Sequence, residues 1–169
     1  ELRAAAGERV SGQMHRAQCR GFSYVNADEP PFGSMTSAGI SGLLLSRLGM
    51  AAANHRDRGL VREVDVAVRD GFAWLARDLS MRCNPGYAER GRYHWYYWLY
   101  CLERSCELAG VARLDGRDWY YEGALQILAQ QQKDGSFRSD SSGGLLLDAT
   151  CFSVLFLAKA SAKAAVTGR

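Results

Sequence analysis

Nowhere in this chain does charge of one sign gather into a block. Its 21 Lys and Arg face 18 Asp and Glu, leaving a formal net charge of +3 dispersed over 169 residues. That dispersal argues against a nucleic-acid-binding arm, and mild basicity alone is a weak signal for an anionic membrane surface. Long apolar runs are missing too. The most apolar stretches, 145–147 and 151–158, fall short of the roughly 20 residues a membrane span needs. Neither a nucleic-acid partner nor a transmembrane segment is therefore expected. No secretory leader opens the sequence. It begins with Glu1 rather than Met, as expected of a processed product, a trimmed chain or a fragment.

Cysteine chemistry is equally sparse. The five cysteines, Cys19, Cys83, Cys101, Cys106 and Cys151, are odd in number and form no CxxC. They read as reduced thiols, with Cys101 and Cys151 as small core residues of apolar helices. Serine-nucleophile motifs, phosphate-cradling glycine loops and Cys–His–Asp arrangements are absent. No motif asks for a cofactor, and His15 and His55 stand in polar settings without a triad partner.

What the chain does have is helical periodicity and enough apolar material, 47% of residues, for a real core. Over 60–79, Val61, Val64, Val68, Phe72, Leu75 and Leu79 recur at three and four, which makes one helical face. Over 119–132, Ala124, Leu125, Ile127 and Leu128 repeat the idea, with Asp115 or Asp118 as cap. Three further segments, 34–48, 93–108 and 148–162, are apolar on most faces and are predicted to be buried on both sides. Turn residues over 26–33, at Asn84-Pro85-Gly86, at Asp134-Gly135 and over 139–144 separate them. No strand pattern competes, so the fold class is all-α.

The layout repeats. Gly21-Phe22-Ser23-Tyr24, a loop and Ser34-Met35-Thr36 match Asp134-Gly135-Ser136-Phe137, a loop and Asp148-Ala149-Thr150. Fifty-eight positions separate Thr36 from His94, and 56 separate His94 from Thr150. The expectation is one α/α repeat domain over 1–169 with three helical hairpins, 1–48, 60–109 and 116–162. They stack because one hairpin cannot bury its own apolar face.

Gln131-Gln132-Lys133-Asp134-Gly135-Ser136-Phe137 resembles the Gln-x-x-Asp-Gly-x-Trp motif of the α/α-toroid superfamily of squalene and hopene cyclases and protein prenyltransferase β-subunits. Gly21-Phe22-Ser23-Tyr24 resembles the Gly-Trp-x-Tyr ending of the same motif. Gly33 to Thr36 and Asp148 to Phe152 resemble the starts of inner helices. The likeness covers most of 16–160 and is closest to uncharacterised bacterial repeat proteins of that superfamily. It implies an arc of helical hairpins, part of a larger toroid, with Gly21, Phe22, Thr36, Gln131, Asp134, Gly135, Phe137, Asp148 and Thr150 as structural repeat residues. In the motif, glycine reverses the chain, the aromatic packs across the turn, and the Gln amide serves a helix end. Asp148 or Ser34 is expected to cap an inner helix. There are departures: Phe22 and Phe137 replace Trp, Arg16 takes the first Gln slot, and the middle repeat has Asn84-Pro85-Gly86-Tyr87 instead.

The catalytic sets of that superfamily are incomplete. Cyclases that protonate an alkene use Asp-x-Asp-Asp, and none occurs here. Prenyltransferases hold zinc through Asp, Cys and His. The stretch from Tyr93 to Cys101 faintly resembles the one bearing their His ligand, but the Asp-x-Cys half is missing. No catalytic residue and no metal ligand is assigned. His94 reads either as a ligand contact or as a core histidine at a helix start. The aromatic run Tyr93, Trp95, Tyr96, Tyr97, Trp98 and Tyr100 reads either as a cavity wall or as packing between helix layers. As a wall, each ring is worth about 0.5–2 kcal/mol to a bound cation. The candidate ligand-binding residues are His94, Tyr97, Trp98, Cys101, Trp119 and Tyr120. The expected partners are an isoprenoid or other hydrophobic ligand, or a protein that completes the helical barrel. The first reading is a non-catalytic module that binds a hydrophobic or peptide partner. The alternative is the C-terminal fragment of a terpene cyclase or prenyltransferase-like enzyme, with its acid or metal ligands upstream.

Overall fold

A computed structural model describes residues 18–26, 28–54, 56–87, 93–138 and 146–159. The start of the first expected hairpin (1–17, with His15 and Arg16), His55, the loop expected over 139–144 and residues 160–162 lie outside these. Among the described residues the fold is all-helical. The five helices are α1 (Gly33–Ala52), α2 (Arg58–Arg77), α3 (Trp95–Ala109), α4 (Trp119–Leu128) and α5 (Leu146–Leu157). Among the described residues the extended pairings are isolated bridges, Leu114 with Arg117 and Gln131 with Phe137.

Local chemistry sets several helix ends. The Asp57 carboxylate accepts from the Leu60 N–H at 3.0 Å and starts α2. Asp118 does the same for α4 through the Tyr121 N–H at 3.0 Å, and Asp115 does not cap. Gly110, at φ 70°, ends α3, and the Val111 N–H reaches back to the Cys106 carbonyl at 2.8 Å. Ser34 does not cap α1: the N-cap is Phe32, which offers no side-chain oxygen.

α3 lies between α1 and α5. α2 packs against α1, and α4 touches both α3 and α5. One continuous core joins them through Ile40, Phe72, Leu75, Leu99, Leu102, Ile127 and Phe156. Glycine permits the closest approaches. A Cβ on Gly71 of α2 would stand 2.9 Å from Ile40 of α1, and one on Gly123 of α4 would stand 2.6 Å from the Phe156 ring of α5.

Candidate functional site

The two turns with matching sequence layout are held by hydrogen bonds of one kind. Phe22 donates its backbone N–H to Thr36 Oγ1 at 3.0 Å, and Phe137 donates its own to Thr150 Oγ1 at 3.2 Å. Each turn is thereby tied to the helix that follows it. In the second turn Asp134 Oδ1 accepts from the N–H and hydroxyl of Ser136, and Gly135 adopts φ 87°. Gln131 donates to the Gly135 carbonyl at 3.3 Å, so its amide serves the turn rather than a helix end. Gly21 allows close packing, because a Cβ there would meet Pro31 and Thr36 at 2.7 Å. Asp148 lies exposed in the first turn of α5, where a carboxylate favours the helix dipole.

The aromatic run on α3 divides by helical phase. Trp95, Tyr96 and Trp98 are buried. The Trp95 and Trp98 indoles donate to the Met81 and Ser80 carbonyls at 2.8 and 2.9 Å, which moors the α2–α3 connection. Tyr97 and Tyr100 are half-buried, and the Phe152 ring of α5 lies 5.5 and 5.2 Å from their centroids. Arg104 donates to the Tyr100 hydroxyl at 3.2 Å. These rings form a ledge where α3 meets α5.

Cys101 lies buried beneath the ledge. Burial pushes its thiol up to about 12, although a hydrogen bond with Tyr97 opposes the shift. Burial likewise pushes the Tyr97 phenol up to about 12. Both groups stay protonated at neutral pH, so Cys101 packs and accepts from the Tyr97 hydroxyl rather than attacking as a thiolate.

The remaining sequence candidates do not join this ledge. Trp98 has no exposed surface. His94 is not a core histidine: it is exposed, adopts φ 53° at the N-cap of α3, and lies 4.0 Å from the Tyr93 ring. Trp119 is buried and donates to the Val111 carbonyl at 2.8 Å. Tyr120 stacks on Phe156 at 5.4 Å, bonds the Leu157 carbonyl at 2.8 Å, and carries the Lys159 ammonium 4.3 Å above its ring. The candidates therefore meet in two separate pairs: Tyr97 with Cys101 at the ledge, and Trp119 with Tyr120, edge to face at 5.9 Å beside Phe156. Among the described residues no three His, Cys, Asp or Glu side chains gather into a metal-sized group.

Several features escaped the sequence reading. Glu103 of α3 is fully buried, while Cys151, expected in the core, is exposed. Asp70 of α2 is buried and accepts from Arg20 Nε at 2.9 Å, Arg69 Nη2 at 2.9 Å and the Gln18 N–H at 3.2 Å. An open cleft of about 480 Å³ lies between the end of α2 and the following loop, lined by Pro31, Trp74, Arg77, Ser80, Cys83 and Pro85 among others. Prolines and a buried indole give no periodic signal that would have marked it.

No protein-family model, no curated protein and no solved structure matches the chain.

Proposed function

We propose that this chain is a prenyltransferase- and squalene-cyclase-like repeat domain whose helical hairpins form an arc. On its own it is non-catalytic, and it binds a hydrophobic or peptide-like partner on the aromatic ledge between α3 and α5. The observation that carries this reading is the ledge itself. Tyr97, Tyr100 and Phe152 meet ring to ring and keep part of their surface open to solvent. Trp95 and Trp98, one helical phase away, are sealed and hydrogen-bonded. Open ring faces with hydroxyls at their edge suit an unsaturated chain or the aliphatic side chains of a peptide. The protonated Cys101 thiol below supplies packing and no nucleophile. Two matched Phe–Thr ties, Phe22 with Thr36 and Phe137 with Thr150, support the repeat part of the reading.

The test is titration with a dansyl-labelled farnesyl analogue, with a hydrophobic peptide as second probe. Tyr100→Ala and Phe152→Ala should each weaken binding about tenfold, the effect of losing one anchoring side chain. Tyr97→Phe should bind as the parent does. Absence of binding to both probes, or alanine variants that bind unchanged, would overturn the reading.

A further inference from the structure

The aromatic ledge ends in a charge. Tyr97, Tyr100 and Arg104 follow one another at three and four along α3, so they share one face of the helix. Two turns separate Tyr97 from Arg104, about 10 Å along the axis. The Arg104 guanidinium lies 5.8 Å from the centre of the Tyr100 ring, and its Nη1 donates to the Tyr100 hydroxyl at 3.2 Å. Arg104 is half-buried. Its charge also bears on the Cys101 thiol beneath, where it opposes the larger effect of burial.

Among the described residues no carboxylate neutralises this cation. The acidic side chain one turn on, Glu107, is engaged by Lys159 at 3.2 Å. Glu103 is turned into the core. A guanidinium holds five N–H donors in a planar fork. Tyr100 takes one of them, at Nη1, and the Nε–Nη2 edge keeps two parallel N–H bonds to offer. The Tyr100 hydroxyl accepts from Arg104, so its own proton is available to donate. Three donors thus converge where the apolar strip stops.

The walls decide what lies along that strip. Tyr97 and Tyr100 stand within α3 and Phe152 within α5. Helix interiors spend their backbone N–H and C=O groups on themselves. A peptide laid between two such walls would find no backbone partner, whereas a hydrocarbon chain needs none.

Resting on the reading of the ledge as a binding surface, we propose that its ligand is a long-chain carboxylate, an amphiphile of the fatty-acid class. The hydrocarbon lies across Tyr97, Tyr100 and Phe152. The carboxylate accepts the two N–H bonds of the Arg104 edge and the O–H of Tyr100. The rings supply the affinity, and Arg104 selects an acid over a neutral chain of the same length.

Decanoate and decanol differ only at the head group, and calorimetric titration of both at neutral pH and low salt tests this. The parent should bind decanoate about tenfold more tightly than decanol. Arg104→Gln should erase that preference and leave decanol binding unchanged. Arg104→Lys keeps the charge without the fork and should retain part of the preference. Tyr100→Phe keeps the ring, loses one donor, and should weaken decanoate alone. Equal binding of the two ligands by the parent overturns the proposal, as does a preference that survives Arg104→Gln. In both cases the ledge stands as a hydrophobic site. A parent that takes up the farnesyl or peptide probe but neither ten-carbon ligand also overturns it. Failure of all four ligands sinks the ledge itself, and this inference with it.

Discussion

Asn84 caps α1 from 50 residues away. Its Oδ1 accepts the Ser34 N–H at 3.0 Å, and its Nδ2 donates to Ser34 Oγ at 3.0 Å. The neighbouring Pro85 carbonyl accepts the Gly33 N–H at 2.8 Å. α1 has no local cap, so the α2–α3 connection supplies one and fixes where α1 starts. Asn84→Ala should cost about 2 kcal/mol, since a buried cap is lost and the Ser34 donor is left bare. An unfolding free energy from urea denaturation that changes by less than a few tenths of a kcal/mol would show that the cap is dispensable.

Asp70 pins the segment around Gln18 and Arg20 to α2. Burial raises its pKa, but hydrogen bonds from Arg20, Arg69 and the Gln18 backbone outweigh burial and hold the carboxyl below its ordinary value. The unfolded chain therefore takes up a proton more readily than the folded one. The stabilisation is complete above the unfolded carboxylate value of about 3.9 and is lost as pH falls through the lower folded value. Asp70→Asn should lower stability at neutral pH by about 1–3 kcal/mol and flatten the fall in stability below pH about 4. Melts across the acid range in parent and variant would decide it: parallel curves would refute the role.

Gly123 has no room for a methyl group, because its Cβ would stand 2.6 Å from Phe156. Gly123→Ala should cost about 1–3 kcal/mol through overpacking, despite its better helix propensity. Adding Phe156→Leu should make the double variant less unstable than the two single losses predict. Strict additivity of the three melting curves would count against a direct clash.

The thiols should fall into three classes toward a disulfide reagent. Cys19 and Cys151 are exposed, Cys83 is half-buried, and Cys101 and Cys106 are buried. Burial also raises the pKa of Cys106 well above its ordinary value. Two groups should react at once, a third more slowly, and the last two only in denaturant. Fast reaction of all five in the folded protein would contradict the packing of α3.

Thr36 and Thr150 offer a check on the repeat. Thr36→Val keeps the shape of the side chain but leaves the Phe22 N–H without its acceptor, and should cost about 1–3 kcal/mol. Thr150→Val is less buried and should cost less. Equal and negligible losses in thermal melts would mean that the two ties are incidental.

Amphipathic helices were the legible part of this fold. The three-and-four spacing from Val64 to Leu75 lies within α2, and Asp118 proved a true cap. Faces were harder to read. Trp98 and Tyr97 are neighbours in the chain, yet one step round the helix puts the first in the core and the second on the ledge. Cys151 and Val154 sit in an apolar run that reads as core, but a helix face is buried only where another helix lies beside it. Asp70 reads as the polar side of an amphipathic helix because its main partner, Arg20, lies 50 residues earlier. His94 gave no local sign of its left-handed backbone.

The four tryptophans, Trp74, Trp95, Trp98 and Trp119, are all buried. The protein therefore carries its own optical gauge of intactness. Its native emission should be blue and should shift red when the core opens. Because no indole belongs to the Tyr97–Tyr100–Phe152 ledge, a ligand arriving there can leave that light unchanged, and a silent spectrum says nothing against binding.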